Sequence, residues 1–117
     1  MGERIMVFGF GKSAKHREIA LHELAGMVAA NQVLVVDVRE ADEFASGHIP
    51  GSINMPLSTF QPGRLPASGD RQIVLTCLGG KRSGMALDQC GAAQASVDTH
   101  LAGGFGAWTK AGLPVER

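Results

Sequence analysis

One cysteine in this sequence lies where a reactive nucleophile would be placed. Cys77 follows the apolar run 73–76, and two glycines, a lysine and an arginine come after it at the start of a predicted helix. Glycine tolerates positive φ and lets backbone amides approach a ligand, so the amides of this loop can converge on one point. The positive end of the helix dipole would face the same point. This pattern predicts an anion-binding loop that holds the Cys77 thiolate.

The two cysteines of the chain are predicted to differ in role. The helix dipole and the adjacent cations should lower the pKa of the Cys77 thiol below its free value of about 8.5, which makes it a nucleophile rather than a small buried hydrophobe. Cys90 falls on the apolar face of the same helix and is expected only to pack. No further Cys or His follows zinc-ligand spacing, and two cysteines make no disulfide framework. No metal site and no cofactor are expected.

The order of apolar segments predicts an α/β fold. The stretches 33–38 and 73–76 are almost continuously apolar and rich in β-branched residues, as in strands that are covered on both faces of a parallel sheet. Helical patterns alternate with the strands. Helices are expected at about 21–30, 40–46 and 83–93, further strands within 51–56 and 97–101, and a surface connection with one helical turn at 58–70. Residues 1–17 are interpreted as an N-terminal extension of uncertain order or an edge strand, and 18–117 as one domain.

Composition excludes several classes of function. The chain has 117 residues and a formal net charge of 0, so it has no global field that would favour nucleic acid or an acidic membrane. No segment approaches the roughly 20 apolar residues that a membrane span needs. The apolar hexamer 5–10 is too short for a secretory signal, which predicts a cytoplasmic protein.

Three blocks of this sequence together resemble the rhodanese-like sulfurtransferases in their single-domain form. The first is Val36-Asp37-Val38-Arg39-Glu40-Ala41-Asp42-Glu43-Phe44 followed by Gly47-His48-Ile49-Pro50-Gly51-Ser52-Ile53-Asn54-Met55-Pro56. The second is the Cys-x-x-Gly-x-Arg loop 77–82. The third is Leu101-Ala102-Gly103-Gly104-Phe105-Gly106-Ala107-Trp108 with Ala111-Gly112-Leu113-Pro114-Val115. The resemblance spans roughly 18–115, and the three blocks occur in the family's order.

The resemblance implies both a fold and a reaction. The fold would be a central parallel sheet of about five strands with helices on both faces. Cys77 would attack the outer sulfur of a small anionic donor such as thiosulfate and become a persulfide. An acceptor, cyanide in the assay and a thiol or protein thiol in the cell, would then take that sulfur.

The loop residues are expected to bind the substrate of this reaction. The backbone amides of 78–83 could hold the terminal sulfur and the developing negative charge. Arg82 would close the loop, whereas Lys81 either attracts the anionic donor or is a solvated surface lysine. Ser83 is interpreted as the helix N-cap, with a contact to the persulfide as the lesser alternative. The predicted substrate-binding residues are Leu78, Gly79, Gly80, Lys81, Arg82 and Ser83.

Other polar residues near strand ends are interpreted as mainly architectural. Asp37 and Arg39 follow or end a buried strand, where a charge is costly unless it is paired, so they are predicted to pin loops around the site. Contact of Arg39 with the site is the alternative. The same architectural interpretation applies to Glu43, to His48 as a turn stabiliser and to Trp108 as a core anchor. Ala20 stands where the family often has a capping Ser or Thr.

Two other functions stay open. The Cdc25-type phosphatases share this architecture, but their loop places five residues between the cysteine and the arginine, whereas four separate Cys77 from Arg82 here. A shorter loop should be too tight for a phosphate and suited to one sulfur atom. Related domains that lose the cysteine serve as non-catalytic interaction modules, so a regulatory or docking role is the second alternative.

Overall fold

A five-stranded parallel sheet organises the molecule. The computed structural model describes residues 16–117, in which the strands have the order β1-β5-β4-β2-β3. Their bounds are Arg17–Glu18 (β1), Val33–Asp37 (β2), Ile53–Asn54 (β3), Gln72–Thr76 (β4) and Thr99–His100 (β5). The helices of this region are Leu21–Ala29 (α1), Ala41–Ser46 (α2), Lys81–Ala92 (α3) and Gly104–Lys110 (α4). The predicted α/β architecture is confirmed.

The central strands are apolar because the sheet is covered on both faces. All five residues of β2 are buried, and successive side chains enter opposite layers of the core. Val33 and Val35 pack with Leu24 of α1 and Trp108 of α4. Leu34 and Val36 pack instead with the apolar face of α3. The sheet therefore separates two cores and holds the carboxyl ends of its strands at one edge.

The shorter elements differ in extent from their predicted ranges. The connection between β3 and β4 contains two 3₁₀ turns, Leu57–Thr59 and Pro62–Arg64, rather than one helical turn. Part of the N-terminal segment 1–17 does pair at the sheet edge, since Arg17 of β1 lies opposite Thr99 of β5. Residues 1–15 lie outside the described part of the chain. Within 16–117, no helix combines the length and the apolar character that a bilayer crossing requires.

Candidate active site

Cys77 lies just beyond the carboxyl end of the central strand β4. Its side chain is almost fully buried, with 1% of its surface exposed. The backbone N–H of Gly80 donates a hydrogen bond to its Sγ atom, with a donor–acceptor distance of 3.0 Å. The chain between these residues thus curls back so that a main-chain donor points at the sulfur. This is the local geometry of a small anion site.

The curl depends on the backbone conformation of Gly80. Its φ is +104°, in the region that side chains rarely adopt, and a Cβ atom there would collide with the carbonyl oxygen of Ala102. This left-handed residue is also the N-cap of α3, which begins at Lys81. The prediction that Ser83 is the N-cap was therefore wrong, because the turn at Gly80 starts the helix earlier and places Ser83 inside its first turn.

Ser83 faces the thiol from that first turn. It is fully buried, and its Oγ atom lies 3.6 Å from Sγ of Cys77, within hydrogen-bonding distance for sulfur. The same Oγ lies 2.7 Å from Nδ1 of His100 and 3.2 Å from the carbonyl oxygen of Gly80. The thiol, the hydroxyl and the imidazole therefore form a continuous buried chain of polar groups.

Hydrogen bonds favour ionisation of the Cys77 thiol. Burial alone acts to raise its pKa, because a charged sulfur loses solvent. Hydrogen bonds from the Ser83 hydroxyl and from the backbone amides of Ser83, Gly80 and Gly79 outweigh this effect and hold the pKa below its ordinary value. The loop thus supplies donors that stabilise a thiolate in a place that water scarcely reaches.

The start of α4 fastens the Cys77 loop from the other side. The N–H of Phe105 donates to the carbonyl oxygen of Cys77 at 2.8 Å, and the N–H of Gly106 donates to that of Leu78 at 3.0 Å. Gly104, with φ of +63°, lies so close that a Cβ atom would overlap both carbonyl groups. The Gly-Gly turn of the third sequence block therefore holds the cysteine loop through direct backbone contact.

The side chain of Arg82 is directed toward α2, where it pairs with a carboxylate, and is not an unpaired cation beside the Cys77 loop. Its guanidinium donates to both carboxylate oxygens of Glu43, at 2.7 and 3.1 Å. The hydrogen bond from Arg82 is the main reason why the pKa of Glu43 falls from 4.5 to about 2; burial opposes it and the Glu40 amide reinforces it. Glu43 in turn raises the pKa of Arg82, mainly through the same hydrogen bond, and Cys77 makes a smaller electrostatic contribution. Arg82 is thus held at the rim by a carboxylate.

The Arg82–Glu43 pair predicts a modest dependence of stability on pH. Since the folded-state pKa of Glu43 is depressed, its contribution is complete above about pH 4.5 and is lost as pH falls toward 2. Because about a third of each side chain is exposed, we expect Glu43→Gln to lower the free energy of unfolding by less than about 1 kcal/mol at neutral pH. Chemical denaturation should show this difference shrinking as pH falls from about 4.5 toward about 2.

A matched control is Asp42→Asn, which removes an exposed carboxylate from the same helical turn. A stability difference between Glu43→Gln and the original protein that stayed constant across this pH range would contradict the assignment. The glutamine keeps an oxygen that can accept the Glu40 amide hydrogen bond, so the start of α2 is preserved.

The other predicted loop residues lie at the surface of the molecule. Leu78, Gly79 and Lys81 are exposed, and half of the Leu78 surface is accessible. Lys81 is the first residue of α3. A cation beside the loop and an apolar side chain next to it thus face the solvent around Cys77.

Asp37 and Arg39 form a buried ion pair beneath the site. Arg39 donates to Asp37 through Nε and Nη2, the shortest bond being 2.8 Å, and Nη2 also donates to the carbonyl oxygen of Gly47 at 2.7 Å. The guanidinium lies 4.4 Å from the centre of the Phe105 ring. Asp37 is fully buried and Arg39 is 4% exposed. The pair ties the end of β2 to the α2–β3 connection and to α4.

The remaining singled-out residues lie in structural positions. Cys90 is fully buried in the apolar layer under α3, and burial raises the pKa of its thiol. His48 stacks on Phe44 and hydrogen-bonds its carbonyl oxygen through Nδ1. Trp108 is buried and donates its indole N–H to the carbonyl of Pro114. Among residues 16–117, no three His, Cys, Asp or Glu side chains come together as a metal site.

Comparison with known proteins identifies the family of this arrangement. Residues 20–111 match the model of the rhodanese-like domain. The chain belongs to the rhodanese family. A single-domain member, the thiosulfate sulfurtransferase GlpE of Shewanella oneidensis, is 34% identical over 100 residues, which cover 85% of this chain and 96% of that protein. The resemblance derived from the three sequence blocks is thereby confirmed.

Further similar proteins include two longer ones and a solved structure. An uncharacterised protein of Synechocystis is 41% identical over 96 residues, covering 82% of this chain and 54% of its own length. An HTH-type transcriptional regulator of Mycobacterium tuberculosis is 38% identical over 96 residues, covering 80% of this chain and 42% of its own length. The crystal structure of a rhodanese-related protein from Thermoplasma volcanium has a TM-score of 0.73 at 28% identity and covers 86% of this chain and 98% of that one. The chain thus spans about half the length of the first two relatives.

Two residues of this rhodanese-like domain escaped the sequence analysis. His100 ends β5, next to β4, and Gly104 touches the loop carbonyls. The rule that ligands lie beyond the carboxyl ends of parallel strands was applied to β4 alone. Applied to the last predicted strand as well, it would have drawn attention to His100. For Gly104, the paired glycines before an aromatic residue were noticed only as part of the family pattern.

Proposed function

We propose that this rhodanese-like domain is a sulfurtransferase that carries sulfur as a persulfide on Cys77. The observation that carries the proposal is the hydrogen bond from the Gly80 amide to Sγ, at a thiol whose pKa is depressed by its surroundings. A thiolate is the form of cysteine that attacks sulfur. The thiosulfate sulfurtransferase among its relatives supports the choice of reaction.

The first half of the proposed reaction loads the cysteine. The Cys77 thiolate attacks the outer sulfur of thiosulfate or a similar anionic donor, forming a new S–S bond. The original S–S bond of the donor breaks, and sulfite leaves with the electron pair. The terminal sulfur of the persulfide then carries the negative charge, which we expect the amides of residues 78–83 to stabilise.

The second half returns the cysteine to its thiolate form. A thiolate or cyanide attacks the terminal sulfur, and the persulfide bond breaks with its electron pair on Sγ. Lys81 at the exposed start of α3 would attract the anionic donor, while exposed Leu78 offers an apolar contact to a larger acceptor. The proposed partners are thus a small anionic sulfur donor and a thiol or protein acceptor.

Intact mass spectrometry after incubation with thiosulfate tests the proposal. We expect the protein to gain the mass of one sulfur atom and to lose it again when cyanide is added. Cys77→Ser should show no gain. Cys90→Ser is the matched control, because Cys90 lies on the apolar side of α3, and it should retain the adduct. An adduct that persisted in Cys77→Ser would overturn the proposal.

Two rival functions predict different outcomes. A binding module, which the family's occurrence in a transcriptional regulator suggests, would take up no sulfur from thiosulfate or from a protein persulfide. A phosphatase would hydrolyse a generic phosphate ester. The four-residue spacing between Cys77 and Arg82, together with the engagement of Arg82 by Glu43, argues against phosphate binding.

A further inference from the structure

The folded protein restricts which groups can accept the proton of the Cys77 thiol. The residue is 1% exposed, so bulk water has little access to it. The Gly80 amide that points at Sγ is a donor and cannot accept a proton. Within residues 16–117, the side chain that hydrogen-bonds Sγ is that of Ser83, at 3.6 Å. The thiol proton is therefore positioned to move first onto the Ser83 oxygen.

Ser83 can pass a proton on to one titratable neighbour. Its Oγ lies 2.7 Å from Nδ1 of His100, a strong hydrogen-bonding distance for a buried pair. Its other contact at 3.2 Å is the Gly80 carbonyl, which accepts hydrogen bonds but does not take up protons near neutral pH. Ser83 is fully buried and His100 is 6% exposed, so both hydrogen bonds are shielded from solvent. The imidazole is the basic end of this chain.

We propose that His100 receives, through the Ser83 hydroxyl, the proton that the Cys77 thiol gives up when it becomes a nucleophile. The inference rests on the proposed function and adds a proton acceptor to it. His100 acts on the sulfur only through Ser83 and is in that sense a positioning residue.

The transfer balances without any external reagent. The S–H bond of Cys77 breaks and its proton bonds to Oγ of Ser83, while the original Ser83 proton moves to Nδ1 of His100. The neutral imidazole must start with its proton on Nε2, so that the Nδ1 lone pair faces Ser83. The result is a thiolate and an imidazolium on either side of a serine hydroxyl, which now donates to the thiolate.

The surroundings of His100 favour a neutral ring before the transfer. Burial lowers its pKa, and the nearby His16 adds to this effect, while Glu18 on β1 acts in the opposite direction. The His16 ring meets His100 edge to face at 5.8 Å, and Nε2 of His16 lies 3.0 Å from Asp88 of α3. A neutral ring has the free lone pair that the transfer requires. All variants compared below retain His16, Glu18 and Asp88.

The decisive experiment follows the ultraviolet absorbance of the thiolate during a pH titration, in the absence of any sulfur donor. Subtracting the spectrum of Cys77→Ser isolates residue 77 from Cys90, and the chain has no tyrosine to interfere. His100→Asn retains a hydrogen-bond acceptor close to the position of Nδ1 but cannot take up a proton. We expect the pH midpoint of Cys77 ionisation to rise by about one unit in both His100→Asn and His100→Ala.

The outcomes separate a proton acceptor from a structural support. If His100→Asn titrated like the original protein and only His100→Ala differed, His100 would merely orient Ser83 and the inference would be overturned. A second measurement needs no change at His100: the imidazole titration followed by NMR should move to lower pH in Cys77→Ser, which lacks the thiolate. An unchanged imidazole titration would also overturn the inference.

These measurements are independent of sulfur transfer. If the persulfide forms but the ionisation of Cys77 does not depend on His100, the proposed proton transfer to His100 is wrong and the proposed function stands. If the ionisation of Cys77 depends on His100 as expected but thiosulfate adds no sulfur, the proposed proton transfer stands and the proposed function fails.

Discussion

Replacing Gly80 with alanine is expected to reduce sulfur transfer from thiosulfate by about a hundredfold or more, an effect comparable to the loss of an oxyanion-hole donor. The substituted residue would have to leave its φ of +104°, because its Cβ would overlap the Ala102 carbonyl group. Any relief of that contact moves the Gly80 N–H away from Sγ. Steady-state sulfur transfer to cyanide measures the loss.

Gly79→Ala is the matched control for this substitution. No atom lies within 4 Å of a Cβ built at Gly79, and its φ is outside the left-handed region. We expect this variant to remain within a few-fold of the original activity. If Gly80→Ala retained full activity, or if both variants lost it equally, the amide of Gly80 would not be the decisive donor. Thermal unfolding of both variants distinguishes a local change from loss of the fold.

Replacing Arg39 with methionine is expected to lower the free energy of unfolding by about 3–5 kcal/mol, as for other buried ion pairs that lose one member. Methionine retains much of the apolar volume of the arginine stem, but it leaves the fully buried Asp37 carboxylate without its cation. The Gly47 carbonyl loses its Nη2 donor as well. Urea denaturation followed by circular dichroism measures the change.

Arg17→Gln provides the comparison with an exposed pair. Arg17 lies 3.7 Å from Asp98, and both side chains are more than half exposed, so its loss should change stability by no more than about 0.5 kcal/mol. A loss below about 1 kcal/mol in Arg39→Met would show that water or repacking compensates the Asp37 charge, against the expectation for a buried pair.

The fold could be predicted where burial restricts the residue types of an element. A strand covered on both faces carries apolar residues on both, so the apolar runs 33–36 of β2 and 73–75 of β4 were recognisable, and the cysteine after β4 could be located at the carboxyl edge of the sheet. The paired glycines predicted a tight loop there. The backbone of that loop confirms a tight curl, with Gly80 in the left-handed conformation.

The side-chain network around the loop was less accessible to sequence reasoning. The start of α3 was predicted two residues late, because a glycine N-cap offers no side chain to reveal it; Ser83 was consequently given a capping role. The Arg82–Glu43 pair joins residues 39 positions apart, and the Ser83–His100 contact joins residues 17 apart. Neither separation has a local signature, since only the packing of α2, α3 and β5 brings these groups together.

The backbone bonds between α4 and the cysteine loop restrict how the loop could be redesigned. Lengthening the loop by one residue, to the spacing found in phosphatases, would shift the carbonyl groups of Cys77 or Leu78 away from the Phe105 and Gly106 amides that hold them. Gly104 is already packed closely against both peptide groups, so it leaves no space for that shift. A change of chemistry by insertion would therefore have to remodel two distant glycine segments together, which makes single-step conversion of this scaffold difficult.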